Sequence, residues 1–143
     1  MKRDELVSEY ITINKELYKA WKKVFHAFAA EEGLTPTLIV ALQAVQEMQT
    51  ATGHHIAEKM RITDGAVAQL VDLLVRQGYV TRSTDSRDRR VINLVVTEKG
   101  EQILANVKRQ RRHMVQQLTA TLSVEELRLA NEVNKKILQA LEQ

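Results

Sequence analysis

The chain has no cysteine, a single proline and only five glycines among its 143 residues. Without cysteine there can be no disulfide, no thiolate metal site and no thiol-based redox sensing. With so few proline and glycine breaks, the backbone is free to run in long helices. Aromatic residues make up just 4% of the chain against 44% apolar residues in all, so the core must be built from aliphatic side chains. No apolar run is long enough to span a bilayer and the start is not signal-like, so a cytoplasmic protein away from membranes is expected. There is no internal repeat and no low-complexity linker. No Cys/His or Ser/His pair stands at a catalytic spacing and no glycine loop could cradle a phosphate, so neither an enzyme nor a cofactor is expected.

Net charge is equally sparse, at +3. Its placement says more than its size. Arg76, Arg82, Arg87, Arg89 and Arg90 crowd one short stretch against Asp85 and Asp88, a local excess of positive charge. A second basic run, Lys108 to Arg112, lies where no acid occurs between Glu101 and Glu125. Either run could be a solvated face, but the first coincides with a turn, where clustering favours phosphate contact.

From Arg3 to about Ala30 an apolar stripe recurs at alternating threes and fours through Leu6, Tyr10, Ile13, Leu17, Ala20, Val24 and Phe28. Ile11, Tyr18, Trp21 and Phe25 widen it beyond what one 143-residue chain can cover alone. Thr35-Pro36 starts a second helix with an N-cap and proline at the first position, running to about Gln49 with Leu38, Ile39, Leu42 and Val45 inward. Near the end, Thr97 caps a long helix, and Ser123 with Glu126 forms a capping box opening a last one with Leu127, Ala130, Val133, Ile137 and Leu141 on one face. First and last helices that both need cover suggest a homodimer made by residues 1–30 and 101–143.

The stretch between His54 and Thr97 carries the functional pattern. Ile56, Ala57 and Met60 give a short helix its apolar face, and Arg61-Ile62-Thr63 is a tight link. Thr63 can cap a second helix, 63–77, in which Val67, Leu70, Val71 and Leu74 share one face. Gly78 ends it where a left-handed residue is needed. Two extended runs follow, Tyr79–Ser83 and Val91–Val96, joined by an arginine-rich turn. Two short helices and a hairpin make a winged helix-turn-helix, a module that sets its second helix in the major groove. The fold expected is mainly α with a small β-wing, one domain over 1–143 with the DNA-reading region at 34–97.

This run resembles the MarR family of bacterial transcriptional regulators. The resemblance rests on Leu34-Thr35, Ile56-Ala57, Leu70-Val71-Asp72 with Leu74, Gly78-Tyr79-Val80 with Arg82, Asp88-Arg89-Arg90, and Val96-Thr97 with Gly100, in that order and spacing. It implies an intertwined homodimer that binds double-stranded DNA. It also implies that Arg89 enters the minor groove from the wing, while Arg90 folds back on Asp72 of the recognition helix. An effector pocket for aromatic acids between dimer and DNA-reading regions is a further implication, with Tyr18, Trp21 and Phe25 as its candidate lining.

The face expected toward DNA carries Thr63, Asp64, Gly65, Ala66, Ala68 and Gln69, with Arg82, Arg87 and Arg89 on the wing. Gln69 can bond bidentately to adenine, and Asp64 can accept from a cytosine amino group. Many relatives carry hydroxyl residues and an arginine there, whereas this chain has Gly65, Ala66 and Ala68, so the wing and DNA shape should carry more of the recognition. His54 and His55 project about 100° apart on a helix, a poor chelate, and no metal site is assigned. The leading reading is a ligand-responsive homodimeric repressor on a palindromic operator. A winged helix that docks protein, or a zinc-responsive regulator of the same fold, stands as the alternative.

Overall fold

The computed structural model describes residues 2–48 and 50–143. Among the described residues, six helices and one two-stranded antiparallel sheet follow one another as α1 (Arg3–Glu31), α2 (Pro36–Glu47), α3 (Gly53–Met60), α4 (Asp64–Arg76), β1 (Val80–Thr84), β2 (Ile92–Val96), α5 (Glu98–Leu118) and α6 (Val124–Leu141). The expected mainly helical fold with a small wing is what the chain adopts. Contacts divide it into two compact units, Met1–Leu104 and Ala105–Gln143.

Each short helix starts where a hydroxyl can satisfy a free backbone N–H. Thr35 accepts from the N–H of Leu38 at 3.2 Å, Thr52 from His55 at 3.2 Å and Thr63 from Ala66 at 3.1 Å. α2 ends at Glu47, and its expected last residue, Gln49, lies outside the described residues. Gly78 takes φ +79° just past α4, as its place in the sequence requires. The corresponding position after α3 is Arg61, left-handed at φ 56° without being glycine.

In the first unit α2, α3, α4 and the hairpin surround an aliphatic core. Leu42, Ile56 and Leu74 are fully buried, each stabilising by about 1.5–3 kcal/mol relative to exposure. The inward residues expected of α2, namely Leu38, Ile39, Leu42 and Val45, are all buried. On α4 Val67, Val71 and Leu74 are buried, while Leu70 is half-buried.

The hairpin is in register from Val80–Val96 to Thr84–Ile92; each strand starts one residue later than the β-branched runs suggested, and β1 ends one later, at Thr84. Leu94 also donates its N–H to the carbonyl of Ala51 at 2.7 Å, which ties the α2–α3 link to β2 as a third bridge. At the hairpin's base, Thr97 donates its hydroxyl to the Gly78 carbonyl at 2.6 Å and accepts from the N–H of Gly100 at 3.1 Å. A Cβ at Gly100 would stand 2.4 Å from the Tyr79 carbonyl oxygen, so that position admits only glycine without a backbone shift. Lys99 lies over the Tyr79 ring, 4.8 Å from its centroid, and donates to the Gln77 carbonyl.

α1 leaves Leu6, Tyr10, Ile13 and Leu17 exposed, and α6 buries none of its residues, exposing Leu127, Leu129, Val133 and Leu141. Among the described residues no helix is long and apolar enough to cross a membrane.

Candidate nucleic-acid interface

The start of α4 presents Thr63, Asp64, Gly65, Ala68 and Gln69 to solvent, with Ala66 half-buried between them. The inward Val67, Val71 and Leu74 hold the opposite side, so the helix is anchored along its length with its polar and small residues outward. The small side chains of Gly65, Ala66 and Ala68 keep the helix surface low, which allows close approach of another backbone or base edge. Gln69 is the one long polar side chain that this stretch projects.

His54 stands behind Asp64. Its Nδ1 is 3.3 Å from Asp64 Oδ1 across the α3–α4 link, and its Nε2 is 3.0 Å from Glu58 Oε1 one turn along α3. The hydrogen bond to Asp64 and the negative charge of Glu58 hold its pKa above the ordinary histidine value. His55, its neighbour, turns away toward the Thr50 carbonyl, 3.4 Å from Nδ1. Among the described residues no group of three or more His, Asp or Glu side chains comes together to hold a metal ion.

The wing departs from expectation at its base. Asp72 on α4 is paired with Arg82, not with Arg90, whose guanidinium lies against Asp88 at 3.1 and 3.2 Å. The reason is register. Val80 is buried, so the alternating side chains of β1 put Arg82 on the same inward face, next to α4. Arg90 sits in the turn before Ile92, nine-tenths exposed. Arg82, expected to touch DNA, is thus the residue that pairs with Asp72, the partner the resemblance implied for Arg90.

At the tip Asp85 organises the turn. Its carboxylate accepts from the N–H of Arg87 at 2.7 Å, from Asn93 Nδ2 at 3.4 Å and from the N–H of Asp88 at 3.4 Å. These bonds, the first strongest, hold its pKa below the usual carboxylate value. Asp88 is likewise lowered, by the Arg90 side chain and then the Arg90 N–H. With Arg82 and Arg90 engaged, Arg87 and Arg89 project from the tip, both exposed and without an ion pair among the described residues.

The aromatic residues proposed for an effector are split. Trp21 and Phe25 stack at 5.9 Å between centroids and are half-buried, whereas Tyr18 is 69% exposed. Two features escaped the sequence reading, namely the Asp72–Arg82 pair and the His54 bridge. The first was accessible from Val80, two residues before Arg82 in a strand. The second was not, because it depends on how the α3–α4 link folds.

Comparison with known proteins gives one family. Residues 32–91 match a family model described as MarR family. The transcriptional repressor MdtR of Bacillus subtilis is 25% identical over 139 residues, covering 97% of this chain and 90% of MdtR. The uncharacterized HTH-type transcriptional regulator YcgE of the same organism is 30% identical over 107 residues, covering 74% of this chain and 70% of YcgE. Among solved structures, YusO from Bacillus subtilis superposes with a TM-score of 0.87 at 24% identity, over 98% of this chain and 99% of that one. FabT from Streptococcus pneumoniae, solved in complex with DNA, gives 0.78 at 24% identity, over 93% and 97%. At those identities the structural likenesses establish the fold.

Proposed function

The chain belongs to the MarR family, is a DNA-binding transcriptional regulator and not an enzyme, and from that premise we propose how it reads DNA. Two copies form a homodimer through α1, α5 and α6 and act as a repressor at a palindromic operator. Each copy lays the start of α4 in the major groove, where Gln69 reads an adenine edge and Asp64 accepts from cytosine. Arg89 enters the flanking minor groove from the wing tip, and Arg87 meets phosphate. The half-sites are then about 34 Å apart, or a multiple of that, to match the two recognition helices. An aromatic acid binding near Tyr18, Trp21 and Phe25 releases the operator by altering that spacing.

The observation that carries this reading is the pairing of an anchored helix with a low, outward polar face and a wing whose tip arginines have no acidic partner among the described residues. Selection of bound duplexes from a random pool tests it. The recovered sequences should be palindromic with A·T-rich flanks, and log affinity should fall linearly with log salt as counterions are released. Recovery of no motif, with binding insensitive to salt, would favour a module that docks protein instead. The chain has one tryptophan, so quenching of Trp21 fluorescence by candidate aromatic acids reports the effector site directly.

A further inference from the structure

We propose that His54 is a positioning residue for the recognition helix, one that in its protonated form bridges Glu58 and Asp64 and thereby couples DNA binding to proton uptake. This deepens the DNA-binding reading above and rests on it. The geometry carries the proposal. Both ring nitrogens face a carboxylate oxygen, Nε2 at 3.0 Å from Glu58 and Nδ1 at 3.3 Å from Asp64. A neutral imidazole has one N–H and one lone pair, so it can satisfy only one of these partners and must oppose the other. Imidazolium donates to both. The bridge spans the α3–α4 link, so it fixes the Asp64 carboxylate, which stands at the first position of α4 on the outward face.

Its charge matters for DNA. The charged and titratable groups on the elements packed around His54 are His55, Glu58 and Lys59 on α3, Arg61 in the link, Asp64, Asp72 and Arg76 on α4 and Glu47 on α2, while β2 contributes none; Asp72 is taken up by Arg82. Lys59 and Glu47 pair with one another, which leaves Glu58 and Asp64 as the acids His54 balances. With His54 neutral, these two carboxylates stand uncompensated beside the groove-facing end of α4 and repel phosphate. With His54 protonated, half of that charge is cancelled. Approaching phosphates in turn favour the cation, so binding takes up a proton. The raised pKa of His54 agrees in direction. The sign follows: the bridge is complete below the ordinary histidine range and is lost as pH rises through the higher folded value.

The test uses the full chain and a duplex recovered by it from random-sequence DNA. Affinity is measured between about pH 5.5 and about pH 8 at constant salt. Wild type should bind at least about threefold more weakly at the alkaline end. His54→Gln should bind at the weaker level throughout, whereas His55→Gln should keep the wild-type slope. His54→Lys, charged at every pH used, should bind at about pH 8 as wild type does at the acid end. A slope that survives in His54→Gln overturns the proposal, as does a flat wild-type profile. The imidazole titration of His54 followed by NMR without DNA separates the two readings. A value at or below that of an ordinary histidine sinks the bridge whether or not DNA binds.

Discussion

The guanidinium of Arg82, on the inward face of β1, donates to the carboxylate of Asp72 on the flank of α4 and so ties the wing to the recognition helix. Both side chains are about half exposed, so the pair contributes little to stability, under about 1 kcal/mol. Its value is angular, since β1 leads directly to the tip that carries Arg87 and Arg89. Asp72→Ala is expected to lower DNA affinity several-fold with the melting temperature nearly unchanged. Loss of a negative charge near phosphate would by itself tighten binding, so the sign discriminates. The reversed pair, Asp72→Arg with Arg82→Asp, should recover part of the loss. Tighter binding by Asp72→Ala in a filter or fluorescence assay would show that the wing angle does not depend on the pair.

Arg89→Ala is expected to weaken binding by about 1–2 kcal/mol, most on duplexes with A·T-rich flanks, where a narrow minor groove attracts guanidinium. Arg90→Ala should matter less at the groove, because Arg90 is occupied with Asp88. Competition between duplexes that differ only in their flanks measures the contrast. Equal losses on both flanks would assign Arg89 to phosphate rather than to the minor groove.

The parts of this fold that were legible in the sequence are those set by local chemistry. Thr35, Thr63 and Ser123 cap helices because a hydroxyl three residues before a free N–H can do little else. Val67, Val71 and Leu74 are buried because their spacing leaves them one face. The wing base was harder. Val91 looks like strand although the paired residues begin at Ile92, and the arginine that meets Asp72 stands on the other strand. Arg82 meets Asp72 because it stands two residues after the buried Val80 on β1, while Arg90 lies against Asp88 in the turn. The His54 bridge and the contact between Leu94 and Ala51 join residues with no periodic relation, so only the folded link brings them together.

Arg61 holds a left-handed backbone at the end of α3, which costs an L-residue about 1–2 kcal/mol that glycine does not incur. The conformation is fixed by two hydrogen bonds of the helix end, Arg61 N–H to Glu58 at 3.3 Å and Ile62 N–H to Ala57 at 3.1 Å. Arg61→Gly is therefore expected to raise stability by up to about 1 kcal/mol, less whatever glycine adds to the entropy of the unfolded chain. A denaturation midpoint that falls rather than rises would mean the Arg61 side chain supplies packing worth more than the strain. The same variant should bind DNA slightly more weakly, since it removes a cation from the link beside the recognition helix.

The last prediction concerns the apolar stripe of α1. Leu6, Tyr10, Ile13 and Leu17 stand about half exposed in the single chain, a contiguous face larger than scattered surface leucines would make. On α6 Leu127, Leu129, Val133 and Leu141 are also uncovered. If a second copy covers these faces, a charge placed among them meets a low-dielectric interface and must be left unpaired there. Ile13→Glu should therefore dissociate the dimer, read as a fall to monomer mass in sedimentation at micromolar concentration. The first unit's core does not include Ile13, so helical content should persist while the apparent melting temperature loses its dependence on concentration. DNA affinity should drop at least about a hundredfold, because a monomer engages one half-site and loses the linked second contact. Retention of dimer mass by Ile13→Glu would place the interface elsewhere, and the basic run from Lys108 to Arg112 on α5 would then be the next face to probe.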